Sequence, residues 1–329
     1  MIKAIAAYQI REERCLIFPW ASGGNLRDYW RDFERKSREK ESLQWIFLQL
    51  VGISSALEKL HENNCRHGDL KPENILWFKD SDDMGTLQIA DLGVAAFHEI
   101  EANTKLRQMR YIVTDTPSGT SRYEPPEMNR DRSRLEARSR QYDIWSMGCI
   151  FLELLVWLTC GEKALETFRR APTYFWQLQQ RDRYVVHPYV ASQMDFLATQ
   201  LQDDTAYKEL LHLVRTRLLV VKVSETYESK PECREIAKVI HKRMEDIQQK
   251  CRANPSYLEP VQLEYPSDET LDLLRQADTV YENDVGLATP PRTDVAGNPH
   301  PLLSTNVPQF LLRTPTLPSR FERDSDFGK

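Results

Sequence analysis

From Ile144 to Leu158 the chain is nearly all apolar, so a helix built from it has no polar face to turn towards water. Such a helix belongs either in lipid or at the centre of a large soluble lobe. A bilayer span needs about 20 apolar residues. This run is shorter, and Glu153 interrupts it. The chain is therefore expected to fold around this helix and not to span a membrane. With 41% hydrophobic and 28% charged residues it has the composition of a soluble globular protein. Its 329 residues suffice for one large domain or two ordinary ones.

Charge and cysteine usage narrow the class. A net charge of -5 gives no reason to expect nucleic acid as the main partner. Arg130, Arg132, Arg134, Arg138 and Arg140 form a basic run, but Asp131, Glu136 and Asp143 interrupt it. It reads as a solvated face ahead of a phosphate-binding patch. The six cysteines lie far apart with no C-x-x-C pair, which argues against zinc or a disulfide framework. A reducing, intracellular setting is expected. The first residues lack the pattern of a secretory or transit leader.

Along the chain, residues 2–9 and 13–18 read as two short strands around a polar turn. Ser22-Gly23-Gly24 breaks the second, and a helical pattern carrying Tyr29, Trp30 and Phe33 follows. From Leu43, apolar residues at 46, 47, 50, 57 and 60 predict an amphipathic helix, capped by Ser42 and ending at Asn63-Asn64. Ile75–Phe78 and Leu87–Ala90 flank a polar turn, as a hairpin that delivers Asp91 would. Residues 94–127 form a polar segment too long for an idle loop. Helices are expected at roughly 142–159, 174–182, 191–202, 205–218 and 232–249. Ten of the 18 prolines lie beyond Cys251, and hydrophobic periodicity ends there, so residues 251–329 are expected to be disordered. The Thr-Pro pairs at Thr289 and Thr314 read as incidental ahead of phosphorylation sites.

The chemistry is concentrated at His67-Gly68-Asp69-Leu70-Lys71-Pro72-Glu73-Asn74. An Asp can take a hydroxyl proton, a Lys can neutralise a phosphate, and an Asn can hold a divalent cation. Seventeen positions after Asn74 comes Asp91-Leu92-Gly93. Gly119-Thr120-Ser121-Arg122-Tyr123-Glu124-Pro125-Pro126-Glu127 and Asp143-Ile144-Trp145-Ser146-Met147-Gly148 follow in turn. In this order the segments resemble the H-x-D-L-K-x-x-N, D-F-G, G-T-x-x-Y-x-A-P-E and D-x-W-S-x-G motifs of eukaryotic protein kinases. The resemblance covers about residues 1–250, and its specific part is 65–149. Phe18–Trp30 and Leu213–Val221 are also similar to a group of filamentous-fungal kinases.

The resemblance implies an α+β, protein-kinase-like fold: a remnant two-stranded N-lobe and hinge at 1–27, a mostly helical C-lobe at 28–250, and the tail. It implies Asp69 as catalytic base, Lys71 on the transferring phosphoryl group, and Asn74 and Asp91 as magnesium ligands. Lys71 and Thr120 resemble the serine/threonine kinases. Glu127 would pair with Arg234, and Asp143 would accept backbone N–H groups of the catalytic loop. Phe18 would be the gatekeeper and Pro19-Trp20-Ala21 the linker to ATP, with Leu76 closing the adenine pocket from below. Pro19 lacks an N–H, but its position offers only a carbonyl, and the donated N–H comes from Ala21. Phe18 and Trp20 read equally as ordinary packing aromatics.

Three departures matter. Gly68 stands where the family usually has Arg, so gating by a phosphorylated activation segment is not expected. Leu92 replaces Phe and keeps an apolar contact. A glycine-rich loop, the strand Lys and the helix Glu have no counterpart after Met1, and Lys3 lies too close to Phe18 to replace that Lys. The expectation is an incomplete copy of an ATP- and magnesium-dependent kinase acting on proteins. A pseudokinase-like scaffold is the alternative.

Overall fold

The computed structural model describes residues 1–10, 13–32, 39–79, 84–92, 96–97, 121–130, 139–170, 172–180 and 183–266. Thr120, Gly93, Gly119, Phe33, Thr289 and Thr314 lie outside the described residues, as does most of the basic run. The chain opens with strands β1 (Ala6–Ile10) and β2 (Glu13–Ile17), paired antiparallel with Ala6 opposite Ile17. The first strand begins later than its sequence suggests. Ile2 donates its N–H to Ile89 O (2.9 Å), which carries the first residues away from β2.

Helix α1 (Leu26–Asp32) buries Tyr29 and Trp30. Helix α2 (Lys40–Glu62) is longer than expected and starts after Glu39; Ser42 is buried inside it and caps nothing. It ends as expected at Asn63, and Asn64 takes a left-handed φ of +53°, a common way to stop a helix. Short strand β3 (Cys65–Arg66), a 3-10 turn at Pro72–Asn74, and the hairpin of β4 (Ile75–Phe78) and β5 (Thr86–Ile89) follow. Strand β6 (Ala96–Phe97) returns to pair with β3.

After a short α3 (Glu127–Arg130) comes α4 (Gln141–Cys160), the axis of the lobe. Every residue from Gln141 to Thr159 is buried. Among the described residues it is the one helix long and apolar enough to cross a bilayer, and it is enclosed by protein instead. A side chain at Gly148 would come within 2.8 Å of Leu218 Cβ, so glycine permits the close approach of the chain beyond α7. Burying each large apolar side chain in this way contributes about 1.5–3 kcal/mol.

Helix α5 (Glu162–Arg170) was not expected, and the helix expected at 174–182 is absent. In its place β7 (Trp176–Gln179) pairs with β8 (Arg183–Val186), Trp176 opposite Val186. Its aromatics explain the choice: Trp176 meets Tyr184 edge-on with ring centres 5.3 Å apart, and such cross-strand pairs stabilise hairpins. Helices α6 (Pro188–Gln200) and α7 (Ala206–Leu213) follow, the latter running into a π-turn at Val214–Leu218. Helix α8 (Ala237–Ala253) starts five residues later than expected, leaving Cys233–Ile236 as buried or half-buried loop.

The expected onset of disorder at 251 is also corrected. Cys251, Tyr257 and Leu258 are buried, and Leu263 donates its N–H to Thr159 O (2.7 Å). The 255–258 turn packs on α2, α7 and α8, and Leu263 ties the segment after it to the C-terminal end of α4. Residues 267–329 lie outside the described residues.

Candidate active site

The site is built where α2 ends and the β4–β5 hairpin begins. The loop from His67 to Asn74 is fixed from beneath by α4. Asp143, fully buried, accepts the N–H groups of His67 and Gly68 at 2.9 Å each, and His61 Nε2 lies 2.8 Å from its second oxygen. Burial alone raises the Asp143 pKa, but the His61 hydrogen bond and the Gly68 N–H together hold it below the usual value. Gly68 has a φ of +82°, left-handed backbone that suits glycine. His67 is buried too, with Nε2 2.9 Å from Ala90 O, which ties the loop to the end of β5.

Three expected catalytic side chains meet. Lys71 Nζ lies 2.7 Å from Asp69 Oδ2, and Asn74 Nδ2 donates to the same oxygen at 3.2 Å and to Asp69 O at 2.8 Å. The carboxylate is thus anchored through one oxygen, and its other oxygen is not engaged by these two groups. Asn74 spends its amide hydrogens on Asp69, leaving its side-chain carbonyl oxygen outside these contacts. Ala90 donates its N–H to Asn74 O (2.9 Å), so the hairpin sets Asp91 beside Asn74. Asp91 is exposed and has a φ of +64°. Asp tolerates that region better than most residues, and strained backbone gathers at functional sites.

The segment after β2 leans on β4. Gly23 donates to Trp77 O at 3.0 Å, Trp77 donates to Gly24 O at 2.9 Å, and Asn25 bridges to Leu76. A side chain at Gly23 would come within 2.5 Å of the Trp77 ring, so the contact depends on glycine. Leu76 therefore lies beneath the segment that follows Ala21. Phe18 is 44% exposed and Trp20 85% exposed, so neither packs in the core. Pro19 and Ala21 are half-buried, and Gly24 donates to Ala21 O (3.2 Å).

Glu127 and Arg234 meet in a two-pronged ion pair, with Nη–Oε distances of 2.6 and 3.1 Å. Arg234 is fully buried, also donates to Val220 O and Gln141 O, and sits 4.9 Å over the Trp145 ring.

Sequence reasoning missed a second buried network. Glu153, treated only as an interruption of an apolar run, is 0% exposed. Arg122 Nε donates to it at 2.8 Å and the Tyr123 hydroxyl at 2.8 Å. Burial, reinforced by Glu153, raises the Tyr123 pKa well above its usual value, so the hydroxyl stays a donor. Arg122 also lies 4.7 Å over the Phe175 ring. A carboxylate in an otherwise apolar helix was the available signal, because buried charge needs a partner. Arg140, from the basic run, donates to His61 O and Asn64 Oδ1 and so serves packing.

A family model described as a protein kinase domain matches residues 1–251. The chain is 30% identical over 155 residues to a probable myosin light chain kinase of Dictyostelium discoideum, covering 47% of this chain and 28% of that protein. It is 29% identical over 149 residues to G protein-coupled receptor kinase 1 of Caenorhabditis elegans, covering 45% and 20% respectively. A putative ribosomal protein S6 kinase alpha-2 of Caenorhabditis elegans is 31% identical over 140 residues, covering 43% and 17%. Each match spans less than a third of the relative's own length.

Proposed function

The chain belongs to the protein kinase family, and from that premise we propose that it transfers the terminal phosphoryl group of ATP to serine and threonine hydroxyls of proteins. The observation that carries this reading is the Asp69 carboxylate held by Lys71 and Asn74 at 2.7 and 3.2 Å. One Asp69 oxygen is anchored, and the other orients the acceptor hydroxyl and takes its proton. Lys71, beside it, balances charge on the phosphoryl group in flight. The serine/threonine assignment rests on Lys71, which stands in Asp-Leu-Lys-Pro-Glu-Asn, and on Thr120.

Magnesium suits the donors present. It takes one or two carboxylates and fills its shell with phosphate oxygens and water. Asp91 and the Asn74 amide oxygen would hold it, and among the described residues no cluster of three His, Cys, Asp or Glu competes for it. Bound there, it would neutralise phosphate charge. The adenine would lie between Leu76 and the linker, meeting Pro19 O and Ala21 N–H, with Phe18 at its back edge. The packing of Gly23 and Gly24 on Trp77 supports that placement.

The test uses protein purified from its natural source and the matching variants. Saturation with Mg-ATP at a hundred times its dissociation constant stabilises by about 2.7 kcal/mol, a melting shift of roughly 5–10 °C for a domain of this size. Asp91→Asn removes most of that shift. Asp69→Asn keeps it and lowers turnover by orders of magnitude, because its role lies in kcat. An unchanged shift in Asp91→Asn, or phosphotyrosine as the main product, refutes the reading.

A further inference from the structure

The buried pair of His61 and Asp143 has a third member from far along the chain. His61 Nδ1 lies 2.6 Å from the Tyr227 hydroxyl, across 166 positions of sequence. Tyr227 sits in the loop of residues 219–236, between the π-turn and α8, with a φ of +53°. That conformation is unfavourable for a bulky L-residue, so contacts must hold it. The Arg140 guanidinium lies 4.0 Å over its ring, and the Ala237 N–H reaches its hydroxyl at 3.5 Å. Arg140 also grips His61 O and Asn64 Oδ1, so loop and helix end are drawn together at one point.

The proton inventory follows from chemistry. Asp143 is ionised and only accepts, so His61 Nε2 carries a proton. In the neutral ring Nδ1 must then accept, and Tyr227 must donate. Burial moves the Tyr227 pKa up to about 12, with Arg140, Asp143 and Glu58 as the charged groups around it, so the phenol keeps its proton at neutral pH. Asp143 still requires the proton on Nε2, but without that hydroxyl Nδ1 has lost its donor and the ring is held from one side only. The ring can then swing, which would weaken one of the three donors to Asp143.

We propose that Tyr227 is a positioning residue whose hydroxyl steadies the His61 ring from its far side and so keeps Asp143 aligned on the His67 and Gly68 amides. The loop of residues 219–236 thereby sets the geometry from which Asp69 projects. The kinetic consequence rests on the kinase reading above; the structural consequence does not.

Tyr227→Phe keeps the ring under Arg140 and removes one oxygen. In 15N-labelled protein the wild-type His61 ring shows a protonated Nε2 and a bare Nδ1. The Phe variant keeps that tautomer, but its Nε2 proton and its His67 and Gly68 amides exchange about tenfold faster, the scale of one hydrogen bond. Amides in the centre of α4 stay unchanged. The kcat for phosphoryl transfer falls by about the same tenfold factor while KM for ATP holds, because this end of the loop carries the base and not the nucleotide. Tyr227→Gly relieves the left-handed backbone and gives the same faster exchange. Altered spectra without phosphoryl transfer in any form, wild type included, leave the coupling standing and sink the kinase reading. Unchanged exchange at Nε2, His67 and Gly68 in both variants overturns the proposal. So does exchange that accelerates equally along α4, the sign of a general loss of stability.

Discussion

His187 offers a sharp test of how the lobe is packed. It caps α6: its Nδ1 accepts the N–H of Tyr189 at 3.2 Å, and only 7% of the residue is exposed. Burial, with a smaller push from Arg122, lowers its pKa from 6.5 to about 4. The unfolded chain therefore takes up a proton that the folded chain refuses. Stability is full above pH 6.5 and falls as the pH drops towards 4. From these two values the loss is about 2 kcal/mol at pH 5 and about 3 kcal/mol below pH 4. At pH 5 that corresponds to a melting temperature roughly 4–8 °C lower. Asn at this position keeps an acceptor for the helix end and has nothing to titrate. Melting curves of wild type and His187→Asn between pH 8 and 5 should therefore diverge by that amount, wild type falling further. Carboxylates shared by both proteins cancel in the difference. Parallel pH profiles for the two proteins refute the buried, neutral histidine.

Two other perturbations follow from the same coordinates. Glu127→Gln leaves the guanidinium of Arg234 buried without its counter-charge, which costs about 3 kcal/mol; calorimetry should show a melting temperature roughly 6–12 °C lower, and a change under 2 °C would contradict the pairing. Strand β2 pairs with β1 alone among the described residues, and Ile5, Tyr8, Ile10, Leu16 and Ile17 are exposed on this hairpin. Unpaired apolar edges template association, so sedimentation should show oligomers that Ile10→Lys with Leu16→Lys disperses; a monodisperse wild-type monomer would refute this.

What the sequence discloses depends on how far apart the partners lie. Asp69, Lys71 and Asn74 meet within one short loop, so their types and spacing nearly fix their contacts. The β4–β5 hairpin that brings Asp91 to Asn74 is also local, and alternation with a polar turn betrays it. Glu127 and Arg234 are 107 positions apart, and only the resemblance to a family linked them. Neither spacing nor resemblance pointed to Tyr227 and His61, whose contact depends on a loop folding back over the end of α2. A helix is expected over 174–182 because short apolar runs fit both periods, yet the hairpin of β7 and β8 stands there. The aromatic pair across its strands decides the matter, and it becomes visible only once they are paired. Thr120 lies outside the described residues.

The polar residues of α4 explain why so apolar a helix is needed. Asp143 in its first turn holds the amides of His67 and Gly68, and Glu153, ten residues on, holds Arg122 and Tyr123. Between them Trp145 carries the guanidinium of Arg234, which in turn fixes Glu127. One rigid rod therefore locates the loop that bears Asp69, the 121–127 segment and the loop before α8. In water each of these contacts would be worth little. Enclosed by Ile144, Phe151, Leu155 and their neighbours, breaking one leaves an uncompensated charge, and the penalty runs to several kcal/mol. The apolar surround thus turns three weak contacts into three strict ones. A substitution that only loosens the packing around α4 should therefore disturb the loop that bears Asp69 before it unfolds the lobe.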